Sequence, residues 1–306
     1  MPGMNHQRIL LTGATGFIGR HLLPRLEQQG SDVRCLRRPE ADLLEPDSLP
    51  SLCEARETVI HLAGSAHVNR VDVRRVYAIN ATGTEHLLQA AMRAGVKHFI
   101  YMSSILADPE HDRPRSPYGQ SKHYAEQALL KAHRAGDIRV TILRPVNVYG
   151  PGMKGNLMTL IRLAQRGRLP PLPDLPERFS LVSVADLCQA VMLAAEQGGA
   201  AADSDTPVYP VTDGHAYSLR EVETAIRQAL GQRQPRWALP RSALFMGALG
   251  LEVADRFLRL DNAPGLRNYH ALTRGRVVDD RAIREALGYE PAGRFQDSLP
   301  ELVNGA

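Results

Sequence analysis

Gly13, Gly16 and Gly19 stand in the run Thr12-Gly-Ala-Thr-Gly-Phe-Ile-Gly19, between a short apolar stretch and the start of a helical pattern. Gly13 lets the backbone turn, Gly16 lets it approach a pyrophosphate, and Gly19 lets helix pack on strand. The helix that follows offers unpaired N–H groups and a partial positive charge to an anion. Three spaced glycines carry this meaning only with a strand before them and a helix after. Both are present. Arg8–Thr12 reads as a strand, and Phe17–Gln29 as a helix stopped by Gly30. Thr15, Phe17 and Ile18 complete a loop suited to a dinucleotide.

Strand-like and helical stretches then alternate. Asp32–Arg37, Thr58–Ala63, Lys97–Ser103, Ile138–Arg144 and Pro207–Val211 read as strands, and Thr84–Ala94 is the clearest helix between them. Alternation of this kind predicts βαβ units and an α/β fold, a doubly wound parallel sheet of the Rossmann kind. After Gly150 the texture changes: Gly150–Gly155 and Pro170–Pro176 read as loops around a helix, Asn156–Gln165. From Tyr217 the chain reads as mostly helical, with Ser218-Leu-Arg-Glu221 a capping box. Ser242–Leu260 is a long apolar helical segment interrupted by Glu252, Asp255 and Arg256, so it reads as a core or subunit-packing helix. A dinucleotide-binding domain over 1–150 plus 178–213 is expected, with a smaller helical substrate domain over 151–177 plus 214–306. Pro24, inside the first helix, predicts a kink or a late start.

Composition narrows the function. No apolar run reaches the ~18–20 residues that span a bilayer, and the N-terminus lacks a cleavable leader, so no membrane partner is expected. Cys35, Cys53 and Cys188 form neither a disulfide framework nor a metal-ligand pattern, so no metal is expected and a reducing, cytoplasmic compartment is implied. The net charge of +4 is spread along the chain, without the basic, aromatic-interleaved patch that nucleic acid would require.

The second strand ends in Leu36-Arg37-Arg38, where a carboxylate would bind the ribose 2′-hydroxyl of NAD. Arg37 and Arg38 can instead pair with a 2′-phosphate, which favours NADP over NAD. Further on, Tyr118 and Lys122 open a helical run four residues apart and share its face. A phenol is a poor base at neutral pH, but a neighbouring ammonium favours its ionised form, giving an acid/base unit for an alcohol. Ser103 and Ser104 end the fourth strand, at the sheet edge where ligands bind.

With the glycine loop, the serine pair and Pro117-Tyr-Gly-Gln-Ser-Lys122, nearly the whole chain resembles the extended short-chain dehydrogenase/reductases, and within them the NAD(P)-dependent epimerase/dehydratase branch acting on nucleotide-sugars. The resemblance implies that Ser104 is the catalytic hydroxyl, with Ser103 its rival, that Tyr118 is the base and that Lys122 holds the nicotinamide ribose. It assigns Asp42 and Leu43 to adenine, and Leu62, Ala63 and Gly64 to the dinucleotide after the third strand. Asn80 is placed near the cofactor, Asn147 at the sugar diphosphate, and Asn156 and Leu157 at the nucleotide of the substrate. It also implies a homodimer packed through the helix that begins at Tyr118. One departure concerns phosphate: Phe179 stands where an arginine is expected, with Arg178 one residue early. Either a local adjustment brings Arg178 in or that contact is lost.

Sugar dehydratases of this family carry an Asp-Glu pair after the catalytic hydroxyl, whereas Ile105 and Leu106 transfer no proton. Two C4 reactions remain on these residues, 4-epimerisation and NADPH-dependent reduction of a nucleotide 4-keto-sugar. A non-catalytic NAD(P)-sensing protein is a further alternative, and the presence of both Tyr118 and Lys122 weighs against it.

Overall fold

The computed structural model describes residues 7–37, 39–65, 72–110, 116–197, 207–258, 269 and 275–304. The strands are β1 (Arg8–Thr12), β2 (Asp32–Cys35), β3 (Thr58–His61), β4 (His98–Met102), β5 (Arg139–Pro145), β6 (Asn147–Tyr149), β7 (Arg178–Ser183), β8 (Val208–Val211) and β9 (Ala216–Ser218). The helices are α1 (Phe17–Gln28), α2 (Pro50–Cys53), α3 (Val73–Tyr77), α4 (Gly83–Arg93), α5 (Pro117–Arg134), α6 (Asn156–Gln165), α7 (Val184–Glu196), α8 (Leu219–Ala229), α9 (Arg241–Leu258), α10 (Arg281–Leu287) and α11 (Phe295–Asn304).

A parallel sheet in the order β2-β1-β3-β4-β5-β8 forms the first unit. Its order reverses at β1, so the carboxyl ends of β1 and β3 flank the crevice in which such sheets bind ligands. Ile9, Leu10, Leu11, Val59, Ile60, Phe99, Ile100, Val140, Ile142 and Leu143 are all fully buried. A sheet covered on both faces requires such continuous apolar runs, and these strands were readable for that reason. Pro24 is exposed within α1, which starts at Phe17 and runs on to Gln28, so the late start does not occur. On the solvent face water can replace the missing N–H at the Arg20 carbonyl.

The chain divides into residues 1–146, 184–211 and 280–290 in the first unit, and 147–183, 212–279 and 291–306 in the second. These boundaries differ from the sequence expectation. β7 pairs with β6 and with β9, a three-stranded sheet that takes 147–150 and 178–183 into the second unit. Tyr217 lies in β9, and the helix starts two residues later, at Leu219, with the Ser218–Glu221 capping box at its first turn. Residues 280–290 return to the first unit, where α10 packs against β8 and α7. Among the described residues no helix is long and apolar enough to cross a membrane.

Candidate active site

The glycine loop joins β1 to α1. Gly13 turns the chain at φ +74°, and a Cβ there would lie 2.7 Å from Ala63 N. A Cβ on Gly19 would lie 2.7 Å from Ala14 Cα, so this glycine closes the loop on itself, not on the strand. Gly16 caps α1 without a side-chain bond, and the first turn holds no acidic residue. A Cβ on Gly16 would meet only Gly13 O, at 3.1 Å. Thr15 and Gly16 are exposed, and Phe17 and Ile18 half-buried. Open space before an uncapped helix start fits a dinucleotide pyrophosphate.

Beneath the loop runs a buried polar chain that the sequence reading missed. Thr12 Oγ1 lies 2.6 Å from His61 Nδ1, and His61 Nε2 lies 2.9 Å from Thr84 Oγ1. Since Thr84 donates to Asn80 O at 2.8 Å, His61 must donate through Nε2 and accept from Thr12. Burial pushes the His61 imidazolium down to about 3, with Lys122 acting in the same direction, so the ring is neutral. Asn80, fully buried, accepts from Ser65 N at 2.7 Å and donates to Ser121 Oγ at 3.0 Å. Ser121 in turn donates to Tyr118 O at 2.8 Å. A Cβ on Gly64 would lie 3.1 Å from both Asn80 Oδ1 and Lys122 Nζ, so Gly64, Asn80 and Lys122 meet.

Ser116 caps α5 by accepting from Gly119 N at 3.1 Å, which fixes the turn carrying Tyr118. Tyr118 is hydrogen-bonded to Ser104, whose Oγ also accepts from Leu106 N at 3.2 Å. Burial of the hydroxyl end pushes the Tyr118 phenol up to about 12, and the Ser104 bond pulls it down. Ser103 faces elsewhere and donates to Glu126 Oε1 at 2.5 Å, so of the serine pair only Ser104 meets Tyr118. Lys122 is 3% exposed, donates to Met102 O at 2.8 Å and lies 4.6 Å from the Tyr101 ring centre. The expectation that its ammonium partners the phenol is replaced by this arrangement. Burial pushes Lys122 down to about 7, against the Glu126 carboxylate, which holds it up.

Just beyond β2, Arg37 is exposed, and its guanidinium acts on the Cys35 thiol, while Arg38 lies outside the described residues. Asp42 Oδ1 accepts from Leu44 N at 3.0 Å. Leu43 is buried in the core, and its carbonyl lies 3.0 Å from His86 Nδ1. Leu62 and Ala63 are half-buried.

In the second unit Asn147 is exposed at the start of β6, and Asn156 and Leu157 open α6 half-buried. Arg178 pairs with Glu221 at 2.9 Å and donates to Ala216 O at 2.8 Å. The β7–β9 ladder is regular through Arg178↔Ser218 and Phe179↔Tyr217, so Arg178 and Phe179 face opposite sides. No adjustment brings Arg178 to the place of Phe179.

A profile of the NAD-dependent epimerase/dehydratase family matches residues 9–206. The chain belongs to that family. It is 29% identical to the UDP-glucose 4-epimerase of Vibrio cholerae, over 96% of this chain and 94% of the relative. It is 33% identical to the GDP-6-deoxy-D-mannose reductase of Pseudomonas aeruginosa, over 71% and 78%. The structure of the Pseudomonas aeruginosa protein RMD, complexed with NADPH, aligns with a TM-score of 0.71 at 25% identity, over 98% of this chain and 99% of that one. Family membership makes a nicotinamide dinucleotide the cofactor, and the glycine loop fits it.

Proposed function

We propose that this protein is a nucleotide-sugar 4-epimerase. The observation that carries the reading is the Tyr118–Ser104 hydrogen bond with Lys122 one turn away on the same helix face. Gly13, Gly16, Gly19, Gly64, Asn80 and Lys122 would hold the dinucleotide. When bound, its nicotinamide ring supplies a hydride acceptor and donor. Ser104 holds the sugar oxygen, and Tyr118, once ionised, takes the proton of the 4-hydroxyl as the C4–O bond gains ketone character. After the ketone has turned its other face, Tyr118 returns the proton. Ile105 is buried and Leu106 half-buried in the short turn after Ser104, and neither transfers a proton, so elimination of water lacks its acid and base. Asn147, Asn156 and Leu157 are the residues we assign to the nucleotide diphosphate.

A second reading, NADPH-dependent reduction of a nucleotide 4-keto-sugar, is favoured by Leu36 and Arg37 where NAD enzymes carry a carboxylate. The reductase relative acts in the same direction. Incubation with a panel of nucleotide-sugars and nucleotide 4-keto-sugars decides between them. Inversion at C4 without net change in NAD(P)H absorbance supports the epimerase. Stoichiometric NADPH consumption with a 4-keto-sugar supports the reductase, and no turnover of any compound rejects both.

A further inference from the structure

Tyr118, Lys122 and Glu126 follow at intervals of four along α5 and share one face. Together they engage three successive residues at the end of β4: Tyr118 bonds Ser104, Lys122 donates to the Met102 carbonyl, and Glu126 accepts from Ser103. The catalytic reading uses the first two contacts and leaves the third unexplained. Glu126 is 1% exposed and held in a fork by Arg144 of β5, Nε to Oε1 at 2.9 Å and Nη2 to Oε2 at 2.6 Å. Arg144 also reaches Asp108 at 3.4 Å, and the His123 ring lies 4.0 Å from Glu126. The main chain of Ser103 is tied to the same strand, its N–H donating to Leu143 O at 2.8 Å. A buried ion pair is weak evidence of added stability, since desolvation opposes the attraction. Its fixed geometry is the more informative property.

We propose that Glu126, backed by Arg144, is a positioning residue: it pins Ser103, and so holds the Met102 carbonyl and the Ser104 hydroxyl on either side in register with Lys122 and Tyr118. The inference rests on the assignment of Ser104, Tyr118 and Lys122 to the chemistry. An active-site shift of about 1 Å can cost on the order of a hundredfold in rate, which sets the size of the effect.

The test compares Ser103→Ala, Ser103→Thr and Glu126→Gln for kcat, KM and Tm on whichever substrate the panel identifies. A second readout needs no turnover: NMR titration of the Lys122 amine in cofactor-free protein labelled with 13Cε-lysine. That amine faces Glu126 of α5, the Met102 carbonyl and Tyr101 ring of β4, His61 of β3 and the Asn80 amide. Ser103→Ala should lower kcat by roughly ten- to a hundredfold with substrate KM and Tm unchanged. Ser103→Thr, which keeps the hydroxyl, should restore the rate. Glu126→Gln should lower kcat at least as far and move the Lys122 titration to lower pH; if that variant does not fold, the Ser103 pair carries the test. Wild-type kcat in Ser103→Ala, a loss matched by a fall in Tm and not restored by threonine, or an unmoved Lys122 titration in folded Glu126→Gln overturns the inference. Tyr118→Phe in the same assay separates the failures. Retained turnover there removes the catalytic assignment, whereas its loss beside an active Ser103→Ala removes only the role of Glu126.

Discussion

Removing the Tyr118 hydroxyl while keeping its ring isolates the proton from the packing. Tyr118→Phe should bind NADPH within about twofold of the wild type and lose roughly 10²- to 10⁴-fold in kcat, the usual reach of one acid/base group. A near wild-type rate would remove Tyr118 from the mechanism. The same scale carries a pH effect away from the site. His98 is buried on β4, 2.9 Å from Thr141 Oγ1, and burial pushes its imidazolium down to about 4, with Arg139 and His133 acting in the same direction. Its unfolded value is near 6.5, so between pH 6.5 and 4 the unfolded chain binds the extra proton. Stability therefore falls as pH drops through that window. His98→Gln can keep the Thr141 bond and removes the titration, so it should lessen the acid loss by up to about 3 kcal/mol. Urea unfolding at pH 7 and pH 4.5 measures this, and equal losses in both proteins would refute it. Sequence spacing was enough to put Tyr118 and Lys122 on one helix face, but not to place the Lys122 ammonium, which donates to the Met102 carbonyl of β4. It left Ser103 and Ser104 as rivals because only the Glu126–Arg144 pair, brought together across α5 and β5, turns Ser103 away. Glu126 lies four residues beyond Lys122, and continuing that interval along the helix would have found it.

Helix starts show how differently two elements use the same geometry. α8 closes its first turn with a capping box, Glu221 N donating to Ser218 Oγ at 3.1 Å and Ser218 N to Glu221 Oε2 at 2.8 Å. α1 starts at Gly16 with no side chain in that place. Ser218→Ala should therefore lower stability by about 1 kcal/mol and leave dinucleotide affinity unchanged. Gly19→Ala should instead lower dinucleotide affinity, and stability with it, because its Cβ meets the Gly13–Ala14 backbone, which cannot yield without moving the loop. Cofactor titration together with thermal unfolding of both variants checks this, and a Gly19→Ala protein with wild-type affinity would contradict it. Elements of the first unit were legible because β1, β3, β4 and β5 each carry a buried apolar run and are separated by helices. β6 and β9 were not, since three residues are too few to show a period and their pairing with β7 spans long stretches of sequence. Tyr217 was read as helical because the capping box beside it is real, yet the box marks where β9 ends.

Across the whole molecule, the glycine loop, Arg37, Gly64, Asn80 and Lys122 all belong to the first unit. Binding of a dinucleotide there stabilises the fold by mass action, about 2.7 kcal/mol at a hundred times Kd. The size of that stabilisation should depend on which dinucleotide is used. Arg37 stands just beyond β2, where the adenosine ribose lies in folds of this kind, and Leu36 beside it offers no carboxylate to repel a 2′-phosphate. A charge-assisted contact from a guanidinium to a phosphate is worth about 1.5–3 kcal/mol in a partly desolvated site, roughly ten- to a hundredfold in affinity. A fully exposed pair would give only about 0–1 kcal/mol, so the magnitude itself reports whether the contact forms. At an NADPH concentration one hundred times the wild-type Kd, tenfold weaker binding leaves a ratio of ten and a stabilisation of about 1.4 kcal/mol. NADPH should therefore raise the unfolding free energy of the wild type more than NADH does at equal concentration. Arg37→Ala should lose about half of the NADPH effect and none of the NADH effect. Calorimetric scans of the two proteins with each cofactor measure all four values, and equal shifts from NADH and NADPH in the wild type would end the argument for a 2′-phosphate site.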